Sequence, residues 1–310
     1  MTGEAARGGR LLVAAAAVCW SAGGLIARLV DTDPWTTVLW RGVFCAAFLT
    51  GVTGWRERRR TLDAFLAMGA TGLGMAVCFA TASTCFIVAL SRTSVANVLI
   101  IQSLSPFMAG LLGWAWMGER VAGRTWAAMG VALLGSTIMV SRYFYTEVAG
   151  ALGGDLLAFT VALAFAIATV LLRRNRHVPM LPAAALAAAL TSVVAAIPGR
   201  PGAVDAGDLL LLAFFGAGQL GFGMILFTAG ARRIPVAEAA LIAVLESVLG
   251  PLWVWLALGE NPGLPSVLGG AIVLAALAGH TVADLRLERR LTAAQSASGS
   301  PSRKRSSTGT

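Results

Sequence analysis

Charge is what this chain has least of. Only 13% of its 310 residues are charged and 57% are apolar, where a soluble globular chain carries about 25% charged residues. That shortage excludes a soluble core of this length. Histidine is nearly absent: His177 and His280 both lie near the ends of apolar runs, and no run holds paired aspartates at its core. Intramembrane catalysis needs general acids and bases at depth, so an enzyme is not expected. The four cysteines, Cys19, Cys45, Cys78 and Cys85, fall inside apolar runs without CxxC spacing. A metal centre or redox pair is therefore not indicated, and Cys78 and Cys85, on one helix face, read as small apolar fillers. A nucleotide-binding loop is missing too. Gly216-Ala-Gly218-Gln-Leu-Gly221 matches the GxGxxG pattern, but no strand precedes it and its flanks are apolar, so close helix packing explains it. ATP is not the expected driver, and no cofactor is expected.

What the chain does have is long apolar runs. A membrane span needs about 20 mostly apolar residues, each adding about 1.5 Å of helix rise. Ten such helices are predicted, near 11–30, 36–54, 64–89, 94–117, 124–141, 154–173, 179–197, 208–230, 236–258 and 265–284. The run at 11–30 is long enough to span and others follow it, so it reads as an uncleaved first helix rather than a secretory signal. From Leu291 onward the chain is rich in Ser, Ala, Gly, Lys and Arg and reads as disordered. The expected division is 1–10 as a cytoplasmic N-terminus, 11–141 as a first five-helix repeat, 142–153 as a connector, 154–285 as a second repeat, and 286–310 as a disordered basic cytoplasmic tail.

The net charge of +9 does not point to nucleic acid, because the arginines sit in short loops and termini without an aromatic-interleaved basic patch. They read as topology signals. With the N-terminus inside, nineteen Arg and Lys residues fall on the inside, against Arg92, Arg142 and Arg200 outside. Both termini are thus expected in the cytoplasm.

A shift of 141 residues lays the fourth helix on the ninth. Arg92 meets Arg233, Val95 meets Val236, Ile101 meets Ile242, Trp114 meets Trp255, and Gly118-Glu119 meets Gly259-Glu260. A shift of about 145 lays the first helix on the sixth, with Arg28 on Arg173. Five helices per copy is an odd number, so the second copy enters the membrane from the opposite side. The expectation is an all-α polytopic membrane protein of ten transmembrane helices in two inverted five-helix repeats, an arrangement typical of secondary transporters with a midplane site between the halves.

These residues carry a resemblance. Trp20-Ser21, the buried Arg41, and the segments PFMAGLLGWAWMGER and ESVLGPLWVWLALGE that close helices four and nine resemble the drug/metabolite transporter superfamily, EamA type, over about 10–285. Family members commonly carry Glu-Pro where this chain has Glu246-Ser247, with its proline at 251 instead. The resemblance implies efflux or exchange of small metabolites, amino acids or amphipathic drugs by alternating access across a bacterial inner membrane. A channel or non-transporting membrane scaffold is the alternative.

Glu246 is the first candidate site residue. An exposed charge near the centre of a spanning helix costs about 2.5–3.5 kcal/mol even on a lenient scale, so it should face a cavity, find a partner or be protonated. It could receive a substrate ammonium group or a coupling proton, or hydrogen-bond a neighbouring helix as a protonated carboxyl. Glu238, two turns back on the same face, suits a helix N-terminus near Arg232 and Arg233. Arg41 could meet a substrate carboxylate, a main-chain carbonyl, or Asp31 or Asp33. Pro106 and Pro251 are expected to kink their helices and free the carbonyls of Gln102 and Ser247, beside Ser103, Ser105 and Glu246. Trp20, Asn97 and Gln219 could line the same cavity; Trp35, Trp40, Trp55 and Trp126 read as interfacial anchors. The expected partners are a small-molecule substrate, the lipid bilayer and possible coupling protons, with the chain a monomer or homodimer.

Overall fold

In the computed structural model, residues 3–90, 92–93, 95–141, 151–202, 204–259 and 261–298 are described, and among them no strand occurs. The first span is α1 (Gly3–Ser21) continued by α2 (Gly23–Leu29). The second is α3 (Pro34–Glu57), and a 3-10 turn and the short α4 (Thr61–Ala67) lead to the third, α5 (Gly69–Leu90). The fourth is split into α6 (Val95–Gln102) and α7 (Ser105–Met117), and the fifth is α8 (Gly123–Val140). The second half repeats the plan with α9 (Ala151–Arg174) and α10 (Met180–Ala196). It continues with α11 (Ala206–Ala213), a π-helical stretch (Phe214–Gly221) and α12 (Phe222–Ala231) as one span. The ninth span is α13 (Val236–Ala243) with α14 (Leu245–Leu258), and the tenth is α15 (Gly263–Ser298). Eight of the ten are long and apolar enough to cross a membrane by length and composition. The other two, α8 and α10, have 18 and 17 residues.

The packing obeys the repeat. The third span packs on the sixth and the first on the eighth (α5 with α9, α1 with α12). The third packs on the seventh and the second on the eighth (α5 with α10, α3 with the π stretch). The fourth meets the sixth and the first meets the ninth (α7 with α9, α1 with α14). Each pair of contacts maps onto the other when every span is exchanged for the one five places on. The remaining large contacts, α3 with α10, α7 with α13 and α8 with α15, join a span to its own counterpart. That closure is what a two-fold axis between two inverted five-helix repeats produces, and the expected fold is borne out. Arg10 of α1 also touches Asp284 of α15, so the first and last spans finish on the same face, as an even number of crossings requires.

Local chemistry explains the ends. Asp33 caps α3: its carboxylate accepts from the backbone of Trp35 and Thr36 at 3.0 and 3.1 Å and from Thr36 Oγ1 at 2.5 Å. Burial opposes ionisation of Asp33, but these hydrogen bonds and the charge of Arg200 outweigh it and hold its pKa below the usual carboxylate value. The cap is therefore at full strength above the ordinary carboxylate pKa and is lost as pH falls through the lowered one. Asp33→Ala is expected to cost about 1 kcal/mol, read as a lower melting temperature in detergent. At the other end of the repeat unit, Gly118 and Gly259 close α7 and α14 in the left-handed conformation, at φ 67° and 70°. Only glycine adopts it without strain, which is why this pair recurs 141 positions apart.

Two expectations need correction. Pro106 is not mid-helix but at the start of α7, where its missing N–H needs no partner. Pro251 lies inside α14, while the ninth span breaks seven residues earlier, at Val244. Tight i→i+3 bonds make both breaks: Leu104 N–H to Ile101 at 3.1 Å, and Val244 N–H to Leu241 at 3.2 Å followed by Ser247 N–H to Val244 at 3.0 Å. Ser247 Oγ also donates to the Val244 carbonyl at 2.7 Å, competing with the helix for that acceptor. Downstream, α15 continues to Ser298, past the point where composition suggests a disordered tail. Residues 142–150 of the connector and 299–310 of the tail lie outside the described residues.

Candidate functional site

Between the two repeats lies a cavity of about 670 Å³. Trp20, Arg41, Gln102, Ser103, Gln219, Glu246, Ser247 and Pro251 all line it. Pro106 is buried but is not part of the lining, and the side chain of Asn97 lies outside the described residues. The two helix breaks face this space, so the N-termini of the half-helices α7 and α14 end at it. A half-helix N-terminus concentrates unpaired N–H groups and the positive end of the helix dipole.

Arg41 is buried, at 7% exposure. It is positioned by the π stretch: a side chain on Gly216 would come 2.3 Å from the Arg41 carbonyl oxygen, so the glycine lets α3 lie directly on that segment. This is the packing role expected of the GxGxxG look-alike. The Arg41 guanidinium donates to Ser83 Oγ at 2.8 Å and stands 5.0 Å over the Phe215 ring, a cation–π distance. Among the described residues neither acid suggested for it pairs with it: Asp33 caps α3, and Asp31 lies at the chain's turn before it, its backbone N–H donating to Asp208 at 3.2 Å. Ser83 and Phe215 were not legible in the sequence, since neither residue type is unusual in an apolar helix and both partners are distant along the chain.

Glu246 is in the first turn of α14 and only half-buried, because it faces the cavity. Its charge and that of Arg41 attract across the space, yet among the described residues they form no direct ion pair. Nor does any hydrogen bond from a neighbouring helix reach the Glu246 carboxyl among those residues. Gln219, in the π stretch, donates from Nε2 to the Trp20 carbonyl at 2.6 Å, while its buried Oε1 has no partner among the described residues. The adjoining Ser21 accepts from Trp253 Nε1 at 2.8 Å, which ties the break in the first span to α14. Single π turns recur at functional sites because the extra residue redirects side chains.

Below the polar groups is an aromatic floor. Phe227, fully buried, sits with its ring centroid 5.1 Å from Trp20, 6.3 Å from Phe79 and 5.4 Å from Phe165. In the other direction the lining reaches Arg28 and the loop residues Asn261 and Pro262. The lining thus carries Arg28 and Arg41 from the first repeat, Glu246 from the second, and an apolar floor.

The profile of the EamA-like transporter family matches residues 7–141 and again 152–281. The chain belongs to the EamA-like transporter family. The two matched stretches correspond to the two halves related by the packing. A solved structure described as "Crystal structure of protein" has the same fold, with a TM-score of 0.76 at 18% identity over 88% of this chain and 97% of its own. No curated protein matches the sequence. As an EamA-like chain this is a multi-pass membrane protein that carries small molecules, and the family's members are transporters rather than enzymes.

Away from the cavity, the EamA-like chain holds a second polar group at the end where Arg10 meets Asp284. Glu238 stands in the first turn of α13, the helix N-terminus its place in the sequence suggests, and the cation it meets is Arg10 Nε, reached from α1. Asp284 lies 3.6 Å from Arg10 and 2.6 Å from Arg124, and His280 Nε2 is 3.0 Å from Thr125 Oγ1. Glu238, His280 and Asp284 are close enough together to hold a metal ion, but the guanidiniums of Arg10 and Arg124 already balance the two carboxylates. Glu119, from the repeated Gly-Glu pair, accepts from Arg173 at 3.0 Å and from the Val236 N–H at 3.4 Å, capping α13.

Proposed function

We propose that this protein is a secondary transporter that moves a small zwitterionic, amphipathic metabolite by alternating access. The observation that carries the reading is the placing of opposite charges on opposite repeats around one cavity: Arg41 comes from the first half and Glu246 from the second. A substrate carboxylate would meet Arg41 and the N–H groups opening α7, and an ammonium group would meet Glu246. The apolar part would lie on Trp20, Phe79 and Phe165. Gln102, Ser103, Gln219 and Ser247 would supply the directional hydrogen bonds. A volume of about 670 Å³ falls in the ordinary range for small-molecule sites, about 300–1,000 Å³. The aromatic floor favours a carrier over an open channel, because a cavity closed at one end needs a conformational change to release its contents.

The arginine distribution supports a bacterial inner-membrane location with both termini in the cytoplasm, and membership of the EamA-like family supports export or exchange as the direction of use. Glu246 would take a coupling proton when no ammonium group is bound. The working unit is a monomer or homodimer. The test is counterflow in proteoliposomes against a panel of amino acids and related amphipathic amines and acids. Saturable uptake accelerated by the same compound on the far side is the expected result, strongest for zwitterions carrying an apolar group. Flux that neither saturates nor shows trans-acceleration would establish a channel and overturn the reading.

A further inference from the structure

The link between the second and third spans carries a charge pattern that the cavity does not use. Arg56, Arg58, Arg59 and Arg60 follow one another closely, at the end of α3 and in the 3-10 turn after it. All four are exposed. Glu57 and Asp63 are the acids nearest along the chain, yet among the described residues none of the four guanidiniums forms an ion pair. Two crossings bring the chain back to the face on which α1 begins, and other arginines of that face are held by the protein itself. Arg10 meets Glu238, Arg124 meets Asp284, and Arg173 meets Glu119. Arg232 donates to the carbonyls of Thr228, Arg176 and Val178.

Beside the four unpaired cations the chain turns apolar side chains outward. Trp55, Leu62 and Leu66 are each 79% exposed. Leu62 and Leu66 are one helical turn apart and share a face of α4. The helix is nonetheless fixed to the bundle, because Ala64 is buried and Phe65 and Met68 pack against the largest core cluster. Arg58 itself has φ 50°, the one positive value at a non-glycine residue among the described residues. Its N–H donates to the Gly54 carbonyl, and its own carbonyl accepts from Thr61 Oγ1 at 2.8 Å. Glycine would take this conformation without strain, so an arginine held there directs attention to its side chain. A topology signal needs only positive charge on one side of the membrane. It does not account for two leucines and a tryptophan displayed beside that charge.

We propose that this link is a docking surface for an anionic phospholipid. Leu62 and Leu66 lie against the acyl chains, Trp55 sits at the glycerol level, and the guanidiniums of Arg58, Arg59 and Arg60 hold the headgroup phosphate. The planar fork of a guanidinium matches the oxygens of a phosphate, and tryptophan suits the boundary between headgroup and hydrocarbon. The surface stands apart from the cavity, so it does not depend on what the cavity carries.

The test is native mass spectrometry of the full chain in detergent, titrated with phosphatidylglycerol or phosphatidylcholine of the same acyl chains. Phosphatidylglycerol should bind about tenfold more tightly, since each arginine near an anionic lipid adds to the attraction. The triple variant Arg58→Gln, Arg59→Gln and Arg60→Gln should lose that preference. A second triple variant, Arg120→Gln, Arg174→Gln and Arg286→Gln, removes the same charge from exposed positions on the same face and should keep it. An excess of glycerol phosphate, which has the headgroup charge without acyl chains, should not displace the lipid. Equal loss in both triple variants would reduce the effect to the general charge of the face and overturn the proposal. So would the absence of any preference in the unaltered protein, or displacement by glycerol phosphate. If the first triple variant does not fold, Arg59→Gln with Arg60→Gln carries the same readout and leaves the backbone at Arg58 untouched.

Discussion

Glu246→Gln is expected to reduce counterflow about ten- to a hundredfold while leaving the protein folded. An interaction with a charged group contributes about 1.5–3 kcal/mol, and every 1.4 kcal/mol is tenfold in affinity. Stability should change little, because the Glu246 carboxyl has no hydrogen-bond partner among the described residues and the buried Arg41 keeps its contacts with Ser83 and Phe215. Glutamine also keeps the shape of the side chain at the mouth of α14. The pH profile separates the two roles open to this carboxylate. If it receives the substrate ammonium, affinity falls at every pH at which the substrate is cationic. If it carries a coupling proton, the variant loses the acceleration produced by a pH gradient while simple exchange persists. Wild-type flux at all pH values would remove Glu246 from the site altogether.

Gly269→Ala should be the most destabilising of the glycine-to-alanine changes on α15. A Cβ at this position would lie 2.3 Å from the Gly135 carbonyl oxygen and 2.4 Å from the Met139 nitrogen. Both are backbone atoms of α8, so no side chain can swing aside and the two helices must separate. Overpacking of this kind costs about 1–3 kcal/mol and sometimes more, and the contact it breaks joins the fifth span to the tenth. Gly279 supplies the comparison, because a Cβ there would meet nothing within 4 Å. Gly279→Ala is expected to be neutral or to stabilise by about 0.5–1 kcal/mol through helix propensity. Melting curves of the two variants in one detergent decide the matter: equal melting temperatures would mean that the α8–α15 crossing tolerates a wider spacing.

The cavity and the charged group around Glu238 were legible to different degrees. Glu246, Arg41 and Gln219 stand out in a sequence because a polar group at membrane depth is expensive and therefore rare. The lining around them, Ser83, Phe215 and Phe79, does not, since serine and phenylalanine are ordinary in apolar helices. Glu238 shows the limit clearly. Arg232 and Arg233 are its nearest cations along the chain, yet folding brings Arg10 to it from 228 positions away.

The long apolar runs, the arginine asymmetry and the repeat at 141 residues determined by themselves that this chain is a ten-span inverted-repeat membrane protein. Those features need only the cost of placing backbone and charge in lipid, which acts residue by residue. The tertiary structure alone decided where helices four and nine break, what Arg41 rests on, and that Arg10 meets Glu238 and Asp284 across the repeats. Breaks and pairings depend on which helix lies alongside which. Side chains as far apart in the sequence as Arg10 and Glu238 therefore meet only once two halves built on one pattern have packed across their axis.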